Sequence, residues 1–419
     1  MAIINKNFFN GGKLLKIKET NDLHDSDIDI QNNSNIGKKY NNYDFFSSGS
    51  YGCTMFPNMR CDGMKTKRKN PHYMSKLSVE GFYSNNEYKI GQKLMDLKQR
   101  KVHDSILDHM NFMEKKCQIK KRKIHVNTDK YDCGILDSNK YDENHNFVLL
   151  KMKYIPSSEI SSYLNKNFSV KLMLRYYYFT LKCIQFLLKH KILHHDLHMS
   201  NIIIDENKEF HLIDFGIAID YNKCFVNREL NMDYIKNILI VFDPTWSYWP
   251  IEYHILCYFV FEQQDLTLKE LEQIINSYYN KNKVFNKYFK NMKNYKKIVL
   301  DFYSKKYVNK SPKQSHIKEI LEKSYHTWDL YQVNYILLVL INLYDIQEMD
   351  NIINLCKIGL HYDVSKRYNI DFFLKNFILI LKNYKQTPGL LYSPEIIKST
   401  PIKEDFDEQL SKSKKPFVK

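Results

Sequence analysis

No stretch of the chain is apolar for long enough to cross a bilayer. The longest run, around residues 335–343, falls far short of the roughly 20 residues a spanning helix needs. The first residues, MAIINKNFFNGGKLLKIKET, hold no long apolar core ahead of a small-residue cleavage site, so no signal peptide is expected. Arginine is scarce. The 8 cysteines are scattered and include no CxxC pair, so a reduced, cytoplasmic protein is expected. Cys53 and Cys61 lack a matching second pair, which favours buried thiols over a zinc site or a disulfide. No internal repeat is visible.

What is present is enough for a sizeable core. Of 419 residues, 43% are hydrophobic and 14% aromatic, with 32 Tyr and 25 Phe. The net charge of +16 suits an acidic partner. Yet Lys, Asn, Ile and Tyr are all plentiful, as an AT-rich genome produces, and compositional drift accounts for most of the charge. The densest basic run, KNKVFNKYFKNMKNYKK at 281–297, carries no acid. It reads as a docking face for phosphates, nucleic acid or acidic protein, or as a solvated helix face.

Residues 1–42 are polar, with an acidic cluster (Asp22, Asp25, Asp27, Asp29) and an Asn-rich run, and little fixed structure is expected there. From about Phe45 the chain reads as strands: DFFSSGSYGCTMF is strand, glycine turn, strand, and HYMSKLSVE is another. SNNEYKIGQKLMDLKQ is helical, with Ile90, Leu94 and Leu97 on one face. NFVLLKMKYI (146–155) is a buried strand. After Pro156 the character changes: VKLMLRYYYFTLKCIQFLLKHK is a long helix, apolar nearly all round, and helices dominate beyond it. A β-rich lobe, about 45–152, thus precedes a larger helical lobe, about 157–386. The tail, 387–419, is punctuated by proline and expected to be loose, with Ser393 and Thr400 each followed by proline.

Chemistry concentrates in residues 192–218, ILHHDLHMSNIIIDENKEFHLIDFGIA. Asp196 and Asn201 lie on a loop between the long helix and a short strand, and Asp214 opens the turn after the next strand. A loop carboxylate can accept a proton from a hydroxyl. An asparagine and a second aspartate are oxygen donors suited to Mg²⁺, a hard cation for which histidine is the wrong ligand. A metal here would sit on oxygens, not on His194, His195 and His198.

HHDLHMSN followed by DFG resembles the catalytic loop and metal-binding turn of the protein-kinase superfamily. The resemblance implies a bilobal α+β fold, with a small β-rich lobe carrying one key helix and a larger, mainly helical lobe. It also implies roles: Asp196 as catalytic base, and Asn201 and Asp214 holding Mg²⁺ on the ATP phosphates. His194 packs under the loop. His198 replaces the lysine that steadies the transferred phosphoryl group. His195 stands where regulated kinases place an arginine that pairs with an activation-segment phosphate, so activity without such a phosphate is expected.

Other segments follow in family order. SSGSYGCT (47–54) resembles the glycine-rich phosphate cover: Ser47 replaces the first glycine, Gly49 and Gly52 remain, and Ser50 and Tyr51 lie between, with Tyr51 at the capping aromatic position. Lys76, ending YMSK, matches the lysine that binds the α- and β-phosphates, and Glu87 its helix partner. Glu80 is the one nearby rival for Glu87, and Lys65, Lys67 and Lys69 are poor rivals for Lys76. Glu87 also has a local reading, because SNNE (84–87) fits a capping box. Met152 falls at the gatekeeper position, with 153–156 as the adenine hinge. PTWSYWPIE (244–252) resembles the end of an activation segment, placing Thr245 to contact the catalytic aspartate. Asp329 anchors the catalytic loop, and Arg367, in DVSKRYNI, pairs with Glu252.

The resemblance spans about 45–382, within a kinase domain expected at 43–386. One departure is a long Lys-rich insert, about 258–323; another is a short span from Asp329 to Arg367. The loop opening, the insert and the composition are similar to kinases of large nucleocytoplasmic DNA viruses, or to those of protists with AT-rich genomes. A viral source would place the protein in host cytoplasm and the virion. Three functions follow. The favoured one is a Ser/Thr protein kinase using ATP and Mg²⁺. A small-molecule phosphotransferase of the aminoglycoside- and choline-kinase type explains His198, but not Phe215, Thr245 or the Glu252–Arg367 match. A non-catalytic scaffold would have lost the lysine, the base or the metal aspartate, and all three are present.

Overall fold

The computed structural model describes residues 44–49, 52–62, 71–100, 104–124, 133–136, 141–239, 242–262, 265–280, 282–310 and 313–385. The acidic cluster of 1–42, Ser50, Tyr51, the lysines at 65, 67 and 69, and the tail with Ser393 and Thr400 lie outside the described residues.

The fold is bilobal and α+β. The small lobe is one antiparallel sheet of β1 (Asp44–Gly49), β2 (Gly52–Phe56), β3 (Tyr73–Val79), β4 (Lys115–Lys120) and β5 (Asn146–Lys153), in the order β1-β2-β3-β5-β4, with α1 (Phe82–Gln99) between β3 and β4. Strand period two divides the side chains between faces. Lys76 is opposite Thr54 and Leu150, and Met74 opposite Met152; these look into the cleft. Cys53, Leu77, Phe147, Leu149, Cys117 and Ile119 take the outer face, where Met55, Met59 and Cys133 complete a small cluster.

That outer face corrects the cysteine expectation. Cys53 is disulfide-bonded to Cys133, and Cys61 to Cys117. Cys183, Cys224, Cys257 and Cys356 are the buried thiols. The partners lie 80 and 56 residues apart, so strand register brings them together and local spacing does not show them. The ground for expecting a reduced compartment goes with the thiols.

The large lobe begins with β6 (Ser157–Glu159), α2 (Ile160–Asn167) and α3 (Val170–Lys189). Ser169 caps α3 by accepting from Leu172 N–H at 3.1 Å. Next come β7 (Ile192–Leu193), β8 (Ile202–Asp205), β9 (Phe210–Leu212) and β10 (Ile219–Asp220); β8 pairs with β6 and β9, and β7 with β10. A hairpin of β11 (Phe225–Val226) and β12 (Glu229–Leu230) leads through α4 (Met232–Ile238) to α5 (Ile251–Phe261). The layer α6 (Leu268–Tyr279), α7 (Lys283–Tyr288) and α8 (Met292–Tyr307) precedes α9 (Lys313–Leu343), the lobe's axis, against which α3, α5 and α10 (Asp350–Gly359) pack. The last helix, α11 (Ile370–Lys385), covers α3 and α10. Among the described residues, no helix is long and apolar enough to cross a membrane.

Candidate active site

The loop at 194–201 is hung from α9. The buried Asp329 carboxylate accepts the His194 N–H on Oδ2 at 2.7 Å and the His195 N–H on Oδ1 at 2.8 Å. Burial pushes this carboxyl up to about 6, against the pull of those two bonds. One helical turn on, Gln332 accepts from Leu197 N–H at 2.7 Å and donates to the His195 carbonyl at 2.9 Å. Sequence reasoning missed Gln332; its signal is a second polar residue at i+3 from Asp329 on an apolar helix. These bonds hold His195 at φ 66°, a left-handed conformation that non-glycine residues rarely adopt.

The three loop histidines are placed differently. His194 is buried against Phe215, and its Nε2 lies 3.0 Å from the Ile213 carbonyl. Burial lowers its pKa. His195 is fully buried among Trp249, Tyr253 and Trp328. His198 is partly exposed beside Asp196, with its Nε2 3.5 Å from Asp196 Oδ1 and 3.1 Å from Asn201 Nδ2. Burial alone would lower the His198 pKa, but the Asp196 carboxylate outweighs it and raises it.

Asn201 completes the loop. Its Nδ2 donates to the Asp196 carbonyl at 2.9 Å and to Asp196 Oδ2 at 3.0 Å, which fixes the carboxylate's orientation. That leaves Asn201 Oδ1 without a hydrogen bond from the described residues.

Opposite the loop, Lys76 projects from β3. Its Nζ lies 3.0 Å from Glu87 Oε2 and 3.0 Å from Asp214 Oδ1. Burial would lower the Lys76 pKa, but the two carboxylates outweigh it and keep the ammonium charged. Burial raises the Glu87 carboxyl to about 7, opposed by Lys76. The local reading of Glu87 does not apply. Helix α1 starts at Phe82, Ser84 bonds back to Gly81, and the Glu87 side chain goes to Lys76. Two further residues, which sequence reasoning passed over, tie α1 to the segment after Asp214. Asn86 donates to the Ala218 carbonyl at 2.8 Å, and Lys93 to Asp220 at 2.8 Å. Asp214 sits at φ 60° and accepts the Gly216 N–H at 3.2 Å.

In the cover hairpin, Gly49 pairs with Gly52. A Cβ on Gly52 would stand 2.3 Å from the Leu77 carbonyl oxygen, so no other residue fits that strand contact. Met152 is buried on the cleft face of β5. Thr245 departs from expectation: its hydroxyl donates to Asp243 Oδ1 at 2.6 Å, not to Asp196. Asp243, two residues back, closes a local turn that captures it first. Glu252 and Arg367 form a buried ion pair.

The cleft therefore gathers one lysine, three carboxylates, a carboxamide and an imidazole from both lobes. A protein-kinase domain family model matches residues 91–240. A curated relative, the dual specificity protein kinase zakA of Dictyostelium discoideum, is 29% identical over 93 residues, covering 21% of this chain and 12% of that protein. The chain thus carries a domain of the protein-kinase superfamily, and it spans only a small part of that relative's length.

Proposed function

We propose that the protein is a Ser/Thr protein kinase that transfers the ATP γ-phosphoryl group to protein hydroxyls, with residues 43–386 as its catalytic domain. The observation that carries this is the Lys76–Glu87–Asp214 triad facing the Asp196–Asn201 loop. Asp196, oriented by Asn201, takes the proton of the acceptor hydroxyl. Lys76, held by Glu87, binds the α- and β-phosphates. His198 donates a hydrogen bond to the phosphoryl group in transit. Gly49 and Gly52 let the hairpin approach the phosphates, Ser50 and Tyr51 between them in sequence contribute to nucleotide binding, and Met152 borders the adenine site.

The donor set fits Mg²⁺: Asn201 Oδ1 and Asp214 Oδ2 are hard oxygens without a hydrogen bond from the described residues. These two residues would hold the ion, which would supply positive charge to offset that of the phosphates. Catalysis is otherwise positioning by the chain's own groups.

The second reading, a small-molecule phosphotransferase, is favoured by His198 alone. The exposed Lys290, Lys293 and Lys297 suit an acidic protein partner. Labelled ATP offered with casein, a basic protein and a panel of small alcohols separates the readings. Label on phosphoserine and phosphothreonine supports the protein kinase. Label on phosphotyrosine overturns its specificity, and label on alcohols alone supports the phosphotransferase.

A further inference from the structure

The proposed reaction leaves the outer face of the small-lobe sheet unexplained. Its cluster holds eight buried residues, Cys53, Met55, Met59, Leu77, Ile119, Cys133, Phe147 and Leu149, and is separate from the main core. A core this small leans on covalent cross-links. Both disulfides lie here, and each meets an element that shapes the cleft.

Cys53 follows Gly52, the last glycine of the cover hairpin. Strand alternation puts Cys53 outward and Thr54 toward Lys76. Its partner Cys133 opens a 3₁₀ turn, Gly134–Leu136, closed by Leu136 N–H to the Cys133 carbonyl at 2.7 Å. The first disulfide thus bolts β2 to the β4–β5 connection. Cys61 lies beyond β2, where Asp62 N–H meets the Gln118 carbonyl at 2.9 Å, and its partner Cys117 is on β4. On the other face of β4, Lys116 donates to Glu80 at 3.2 Å and to Asn85 at 2.5 Å, holding the start of α1, the helix that carries Glu87. The second disulfide thus pins the strand that supports α1.

We propose that the Cys53–Cys133 and Cys61–Cys117 disulfides lock the cover hairpin and α1 in their nucleotide-binding positions, so that the oxidised protein binds nucleotide and reduction loosens the site. The inference rests on the kinase reading of the cleft. Reduction consumes one dithiol per disulfide: the dithiol supplies two electrons and two protons and is oxidised to a cyclic disulfide, while two protein thiols form. Oxidised glutathione reverses the step by thiol–disulfide exchange.

The test uses the full-length wild type, alkylated under denaturing conditions to count thiols. The oxidised protein is expected to take four labels and to bind ADP–Mg²⁺. The dithiothreitol-reduced protein should take eight labels. If its competent population falls to about a tenth, it should bind ADP about tenfold more weakly and show KM for ATP raised to match. Reoxidation should restore both. All 3 tryptophans, Trp246, Trp249 and Trp328, lie in the large lobe, and their emission should not change on reduction; a shift would overturn an effect confined to the small lobe. The C53A/C133A double variant should bind ADP weakly with or without dithiothreitol, and if it fails to fold the wild-type comparison still decides. Equal ADP affinity in both forms, or eight labels on untreated protein that binds ADP, would overturn this inference alone. No ADP binding by either form would overturn the kinase reading and this inference with it.

Discussion

Trp249 lies flat on His195, with ring centroids 5.0 Å apart and planes within 4°, and its indole N–H donates to the His195 carbonyl at 3.0 Å. The stack seals the imidazole away from solvent. At this position, His195 has no path to a surface phosphate. Phosphatase-treated protein should therefore keep its rate to within about twofold of the untreated protein. A large loss of activity would contradict this. A charge forced into the same pocket should be costly. His195→Arg buries an unpaired cation, and a loss of about 3 kcal/mol or more is expected in urea unfolding.

The same cluster makes stability depend on pH. Burial holds His195 at about 3 and His254 at about 4. His195 faces Asp196, His194 and His254, while His254 faces Asp243 and the Trp246 carbonyl. Below the ordinary histidine pKa of about 6.5, the unfolded chain binds protons that the folded one refuses. Stability is thus complete above that pH and falls as pH drops toward 4, by up to about 1.4 kcal/mol per pH unit for each histidine. Urea midpoints at pH 7, 6 and 5, read by tryptophan emission, measure the slope. His254→Phe should reduce it by about 1 kcal/mol per pH unit, and an unchanged slope would contradict the assignment.

Arg367 and Glu252 test the large lobe. Arg367 gives Nη2 to Glu252 Oε2 at 2.9 Å, Nη1 to Glu252 Oε1 at 2.5 Å and to Thr327 at 3.1 Å, and Nε to the His361 carbonyl at 2.6 Å. Arg367→Met leaves a buried carboxylate unpaired and should cost about 3–5 kcal/mol in urea unfolding. Adding Glu252→Gln should recover part of that loss. Arg367→Lys should not rescue, because an ammonium cannot satisfy two oxygens and two further acceptors in that fixed fork.

Much of this arrangement is legible in the sequence because its parts are local. Asp196 and Asn201 share one loop, and Lys76 and Glu87 lie 11 residues apart on consecutive elements, β3 and α1. What local spacing cannot show is register. Cys53 meets Cys133 only because β2, β4 and β5 join one sheet. Competition between neighbours is hidden too. Thr245 is taken by Asp243, and the SNNE segment does not cap because α1 starts two residues earlier. Gln332, Asn86 and Lys93 are common polar residues on helices, distinguished only by what they touch.

The triad predicts a split in kinetics. Lys76→Met should lower kcat/KM by about a hundredfold or more, since the charge proposed to hold the phosphates is gone. Glu87→Gln should act mainly on nucleotide binding, raising KM for ATP by about tenfold. Steady-state rates over a range of ATP concentrations check both. A Glu87→Gln variant with unchanged KM would separate Glu87 from the site.

The most direct measurement compares wild type with Asp196→Asn in two assays: ADP–Mg²⁺ binding, and single-turnover transfer of label from ATP to a protein acceptor. The account predicts unchanged ADP affinity and a rate lowered by about a thousandfold, the scale of a lost general base. Transfer at the wild-type rate by Asp196→Asn would contradict it.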